Sequence, residues 1–104
     1  MAKYHRGRKR EYRVKEILER QGYNVVRSAA SKGMWDLLAW KGCRMRFIQV
    51  KSRKPSKKEM ERYLTAVKGP LEVSCEVWVS CPRKGFNVYS NEGDRWIIER
   101  LSTN

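Results

Sequence analysis

Three stretches of this sequence place chemically capable side chains where a solvated surface does not require them. Asp36 interrupts the apolar run Met34-Trp35-Asp36-Leu37-Leu38-Ala39-Trp40, and a carboxylate among such neighbours is costly unless something compensates its charge. Gln49 and Lys51 lie in Phe47-Ile48-Gln49-Val50-Lys51. Glu11 stands three residues before Val14 and seven before Leu18, which puts it on the inner stripe of a helix. Hard cations such as Mg²⁺ take oxygen ligands, so Asp36, the Gln49 amide oxygen and Glu11 form an acceptable donor set, with Lys51 alongside. Each has a plain structural role too. Asp36 can be a strand-end acid that reaches water or an Arg, and Glu11 a first-turn acid favoured by the helix dipole.

The elements around these residues must bring them together. Val14, Ile17 and Leu18 recur at helical spacing and predict a helix over residues 8–21, with Glu16 and Arg20 as an i, i+4 pair and Gly22 as the stop. Residues 23–27 read as a short β-branched strand, followed by a small-residue loop over 28–33. Residues 34–41 and 44–51 read as a hairpin about Gly42-Cys43, because Gly at the first central position suits a type II′ turn. In such a hairpin Lys41 faces Arg44, Leu38 faces Phe47 and Asp36 faces Gln49, so Asp36, Gln49 and Lys51 are expected on one face.

Ser56-Lys57-Lys58-Glu59 fits a capping box, and Met60, Tyr63, Leu64 and Val67 mark the buried face of a second helix ended by Gly69-Pro70. Residues 73–81, 86–90 and 95–101 read as three further strands. This order predicts an α/β or α+β sandwich with a central mixed sheet.

At 104 residues and 12.4 kDa, the chain suits a single domain, residues 1–104. Its formal charge is +13, yet 40% of it is apolar, with 4 Trp, which excludes a disordered basic tail. No apolar run approaches the roughly 18 residues of a membrane span, and no secretory signal is expected. Cys43, Cys75 and Cys81 form no C-x-x-C pair and His5 stands alone, so structural zinc is not expected and free thiols in a reducing, cytoplasmic compartment are. The cationic charge makes a polyanion the expected partner, nucleic acid ahead of an anionic membrane. Basic residues crowd the first fifteen positions and a second cluster around Pro55; either could be a solvated face, but two together point to phosphate contacts.

On these residues the chain resembles the PD-(D/E)XK nuclease superfamily and, more closely, the archaeal-type Holliday junction resolvases. The resemblance is carried by Arg6-Gly7 through Glu11, by Gly22-Tyr23-Asn24-Val25-Val26-Arg27-Ser28-Ala29-Ala30-Ser31, by Asp36-Leu37-Leu38-Ala39 and by Phe47-Ile48-Gln49-Val50-Lys51-Ser52-Arg53-Lys54. These segments follow the family's order and spacing over the first half of the chain.

The resemblance implies an α/β, restriction-endonuclease-like core: a central mixed β-sheet flanked by helices in the order α-β-β-β-α-β-β-β. It implies Glu11 and Asp36 as acidic metal ligands, Gln49 and Val50 completing the set, Lys51 as the catalytic lysine and Ser31 as the loop serine at the scissile strand. Arg6, Arg8, Lys9, Arg10, Arg13, Arg27, Ser28, Lys32, Arg53, Lys54, Lys57 and Lys58 are the expected nucleic-acid contacts. Three positions depart from the family pattern: Gln49 replaces its third acid, Trp35 rather than Pro precedes Asp36, and Tyr12 follows Glu11 where relatives often carry Arg. A carboxylate from the second helix, Glu59 or Glu61, could offset the first of these.

The function this implies is a Mg²⁺-dependent endonuclease, with Mn²⁺ as a substitute, resolving four-way DNA junctions by phosphodiester hydrolysis as a homodimer. It would act in the cytoplasm, at the nucleoid or in a host cell if the gene is viral. A nucleic-acid-binding protein with a weak or inactive site is the alternative, as is a nicking or repair endonuclease of the same superfamily. Trp35, Trp40, Trp78 and Trp96 are expected in the core or at a dimer interface.

Overall fold

In the computed structural model, the described backbone comprises residues 2–27, 35–67 and 72–98, with side chains described within these ranges from residue 7 to 94. The first helix, α1 (Ala2–Arg20), begins six residues earlier than the apolar periodicity indicates. Its first turn has no acidic residue, but Lys and Arg are strong helix formers and extend the helix without an apolar stripe. Its end is the expected one. Gly22 adopts φ 92°, its N–H bonds Glu19 O at 3.0 Å, and Tyr23 N–H bonds Leu18 O at 3.1 Å. That pair of bonds is a Schellman motif.

The strands are β1 (Asn24–Arg27), β2 (Leu37–Lys41), β3 (Arg44–Lys51), β4 (Glu72–Cys81), β5 (Gly85–Ser90) and β6 (Arg95–Ile98), with α2 (Lys57–Leu64) between β3 and β4. They form one six-stranded mixed sheet in chain order. All neighbours are antiparallel except β3 and β4, which are parallel. The restriction-endonuclease-like α/β arrangement and its element order are therefore as expected. The β3–α2–β4 crossover lays α2 on one face of the sheet, while α1 covers the other. Val14 and Leu18 pack with Leu37, Ala39, Ile48, Trp78, Phe86 and Val88; Met60 and Tyr63 pack with Val77 and Val79.

The β2–β3 register is the one the turn dictates, Lys41 with Arg44 and Leu38 with Phe47. Gly42 has φ 59° whereas Cys43 does not have positive φ, as a type II′ turn requires. The ladder stops at Leu37 paired with Ile48. Asp36 therefore does not face Gln49 within a strand, and β2 starts three residues later than expected. Its N–H turns to Ile48 O at 2.9 Å, one residue out of register. Helix α2 also ends early, at Leu64, with Thr65 as its C-cap; Gly69 and Pro70 lie outside the described residues. Ser56 caps its start by accepting from Glu59 N–H at 3.2 Å.

The sheet also buries a charge pair absent from the sequence reading. Arg46 donates to both carboxylate oxygens of Glu76, at 2.8 and 2.9 Å, beneath α1. Ser74 Oγ and Trp78 Nε1 donate to the same carboxylate. These bonds hold Glu76 below the usual carboxylate range despite the opposing effect of burial. Glu76→Ala should cost about 3–5 kcal/mol by urea titration, because it strands a buried guanidinium. Glu92→Ala, which breaks the partly exposed Arg44–Glu92 pair, should cost under about 1 kcal/mol.

Candidate active site

The site lies where β3 outruns β2. Past Ile48 the in-plane groups of β3 have lost their antiparallel partner, and the Asp36 carboxylate takes the next place by accepting from Val50 N–H at 3.0 Å. This bond holds an acid in the plane of the sheet, at the mouth of a fork. Burial pushes Asp36 above its ordinary pKa; the Val50 N–H, Lys51 and Arg27 oppose that shift without cancelling it.

Glu11 reaches the fork from α1. It sits on the stripe of Val14 and Leu18, as its spacing indicates, and remains partly buried. Burial, then the charge of Asp36, raise its pKa against the pull of Arg27 and Arg8. Arg27, at the end of β1, donates from Nη1 to Glu11 Oε1 at 3.1 Å and lies over the Tyr12 ring at 5.1 Å. Tyr12, the residue standing where relatives often carry Arg, thus supports the arginine on the neighbouring strand.

Gln49 and Lys51 project to the α2 face. Gln49 Nε2 donates to Tyr63 Oη at 3.2 Å, and Tyr63 Oη donates to Glu59 Oε2 at 3.4 Å. Lys51 Nζ pairs with the same Glu59 oxygen at 3.8 Å and lies over the Tyr63 ring at 5.5 Å. Gln49 Oε1 is buried with no hydrogen-bond partner among the described residues. Glu59 therefore points its carboxylate at Lys51 and Tyr63, and only the Ser56 half of the capping box forms. Glu61 is exposed on the same helix.

These donors suit a hard divalent ion. Two partly buried carboxylates whose burial raises their pKa values, an orphaned amide oxygen and the Val50 backbone are oxygen chemistry of the Mg²⁺ or Mn²⁺ type. Among the described residues no three His, Cys, Asp or Glu side chains cluster as metal ligands; position 49 carries an amide.

Along the chain, basic residues lie on both sides of the residues of this fork. Arg8, Lys9, Arg10 and Arg13 flank Glu11 on α1, and Arg53, Lys54, Lys57 and Lys58 follow Lys51 into α2. Ser28, Ser31 and Lys32 lie outside the described residues, as does the Arg6 side chain. Of the tryptophans, Trp78 is fully buried, Trp35 packs on Phe47 and Tyr63, and Trp40 is partly exposed; the Trp96 side chain is not described. Sequence reasoning read Tyr63 only as a core residue. The available signal was its position four after Glu59, which puts both on one helix face.

A protein-family model, archaeal Holliday junction resolvase (Hjc), matches residues 2–66. That segment runs from α1 to just past the end of α2 and contains every residue of the fork. No curated protein resembles the chain closely enough to count as a match.

The raised acids make a stability prediction. A carboxyl whose folded pKa exceeds its unfolded value makes the native state bind more protons, so stability falls as pH rises from the unfolded towards the folded value. Above the folded value the penalty is fully present. Asp36→Asn keeps an acceptor for Val50 N–H and removes the charge, so in EDTA at pH 7 it should melt a few degrees above wild type (~1 kcal/mol corresponds to about 4–8 °C here). The gap should close as wild type is acidified towards pH ~4. A variant that melts below wild type at pH 7 would contradict this account.

Proposed function

The chain belongs to the archaeal Holliday junction resolvase family, a family of nucleases, and on that premise we propose that it is a divalent-cation-dependent endonuclease that cuts four-way DNA junctions. The observation that carries this reading is that Asp36, at the start of the β2–β3 hairpin, lies within charge range of both Glu11 of α1 and Lys51 at the end of β3. In this reading Glu11, Asp36, Gln49 Oε1 and the Val50 carbonyl hold Mg²⁺ or Mn²⁺. Bound there, the ion supplies Lewis acidity to a phosphoryl oxygen and lowers the pKa of a ligated water.

The protein's own groups do the rest. Asp36 is fixed by Val50 N–H, so its free lone pairs would need no reorganisation to meet a cation. Lys51, held by Glu59 beside Asp36, places an ammonium where negative charge develops during hydrolysis. Arg27, braced between Glu11 and Tyr12, presents a planar donor suited to a backbone phosphate. The basic flanks of α1 and of the β3–α2 connection supply phosphate contacts that position a duplex without reading its sequence. A homodimer completes the proposal, because two-fold symmetry places two such forks for the two matched cuts of resolution. Three free thiols suit action in the reducing cytoplasm, at the nucleoid or in a host cell.

The test is cleavage of a labelled four-way junction with Mg²⁺ or Mn²⁺ against a linear duplex. Wild type should cut the junction in two symmetric strands, while Asp36→Asn and Lys51→Ala should bind it and leave it intact. Binding without cleavage in any divalent ion would instead favour a junction-binding protein, the reading that the missing acid at position 49 supports. Affinity measured between 50 and 200 mM salt should fall by roughly 10³–10⁵ if about 6–10 phosphates are contacted. A flat response would exclude the phosphate-contact reading.

A further inference from the structure

We propose that Glu59 and Tyr63 are positioning residues that fix the polarity of the Gln49 amide, so that its oxygen and not its nitrogen is offered to a divalent cation. The inference deepens the metal-site reading above and rests on it. An amide has a donor end and an acceptor end of nearly the same shape, so a glutamine standing in for a carboxylate is a ligand in only one of two orientations. A carboxylate at that position would serve either way round. Position 49 therefore needs something a conventional acid there does not: a device that chooses the end.

The α2 face provides one. An ionised carboxylate has no proton to give, so Glu59, paired with Lys51 Nζ at 3.8 Å, acts only as an acceptor. The Tyr63 hydroxyl then spends its one proton on Glu59, at 3.4 Å. What it has left for Gln49 is a lone pair, which only the amide NH₂ can use, at 3.2 Å. The chain of donors thus runs one way, from Gln49 through Tyr63 to Glu59, and leaves Gln49 Oε1 as the end without a partner among the described residues. Both bonds are long for their type, so the device sets direction more than it adds binding energy. Lys51 belongs to the same chain, which couples the orientation of the amide to the placement of the ammonium.

The polarity can be reversed with one atom exchange. Glu59→Gln introduces a donor at the far end, so Tyr63 can accept from it and give its proton to Gln49 Oε1, turning the NH₂ to the side that Oε1 now occupies. Tyr63→Phe removes the choice altogether. Each variant is tested by titrating Mn²⁺ into the full chain by calorimetry, in the wild-type background and again in Gln49→Glu. In the wild-type background both should weaken Mn²⁺ binding roughly 10–100-fold, the usual effect of losing a group that orients a ligand. In Gln49→Glu both should change affinity by less than about twofold, since a carboxylate accepts at either end. Glu61→Gln, on the exposed side of α2, should leave affinity unchanged in both, and melting curves establish that all variants fold. Equal losses in both backgrounds would reduce Glu59 and Tyr63 to structural support and overturn the proposal. So would an absence of loss in the wild-type background, or a wild-type chain that takes up no Mn²⁺. A chain that binds Mn²⁺ with this pattern and never cuts junctions overturns the proposed function and leaves the amide device standing.

Discussion

The site depends on a single substitution of partners: a side-chain carboxylate where a strand should continue. Val50 N–H has no antiparallel backbone partner because β2 leaves the ladder at Leu37, and Asp36 accepts in its place. A buried N–H without an acceptor would cost as much as a lost hydrogen bond, so the geometry is held from both sides. The strand end needs an acceptor, and the acid needs a donor to offset its removal from water. The same bond opens the fork, since Asp36 occupies the gap that a longer β2 would have closed. Glu11 then arrives from the α1 face and Gln49 with Lys51 from the α2 face, so one opening collects groups from both layers.

Two carboxylates in this chain illustrate opposite uses of burial. Glu76 is fully buried, yet Arg46, Ser74 and Trp78 satisfy it so completely that its pKa falls. Asp36 and Glu11 are less buried, but their partners are fewer, so burial raises both pKa values and the charge of Asp36 adds to the rise of Glu11. The first arrangement contributes stability that is present at neutral pH and is lost only as pH falls through the lowered pKa of Glu76. The second leaves a cost uncompensated, which is the expected signature of a functional rather than a structural acid. The excess of positive charge serves the same end at longer range, since a chain of net charge +13 draws a polyanion to the fork before any specific contact forms.

Much of this was legible in the residues. Val14, Leu18 and Gly22 determine where α1 packs and stops, because apolar spacing and a left-handed glycine are local properties. Gly42 sets the β2–β3 register for the same reason. Glu11 and Asp36 could be singled out because an acid on an apolar stripe or within an apolar run is costly wherever the chain goes. The early start of α1 escaped notice because a run of Lys and Arg carries helix propensity without periodicity. The Arg46–Glu76 pair escaped it because the two residues are thirty apart in sequence, and only the parallel pairing of β3 with β4 brings them together.

What the sequence determined alone was therefore the set of elements, the hairpin register and the identity of the costly acids, all of which follow from interactions between near neighbours. Only the tertiary structure decided that β2 begins one residue after Asp36, that Gln49 turns to the α2 face and that Glu59 meets Lys51 instead of its own helix start. The last two depend on the β3–α2–β4 crossover bringing a helix over a strand end. The partner a polar side chain finds is a matter of which distant groups folding brings within about 3 Å of it, and no local pattern encodes that distance.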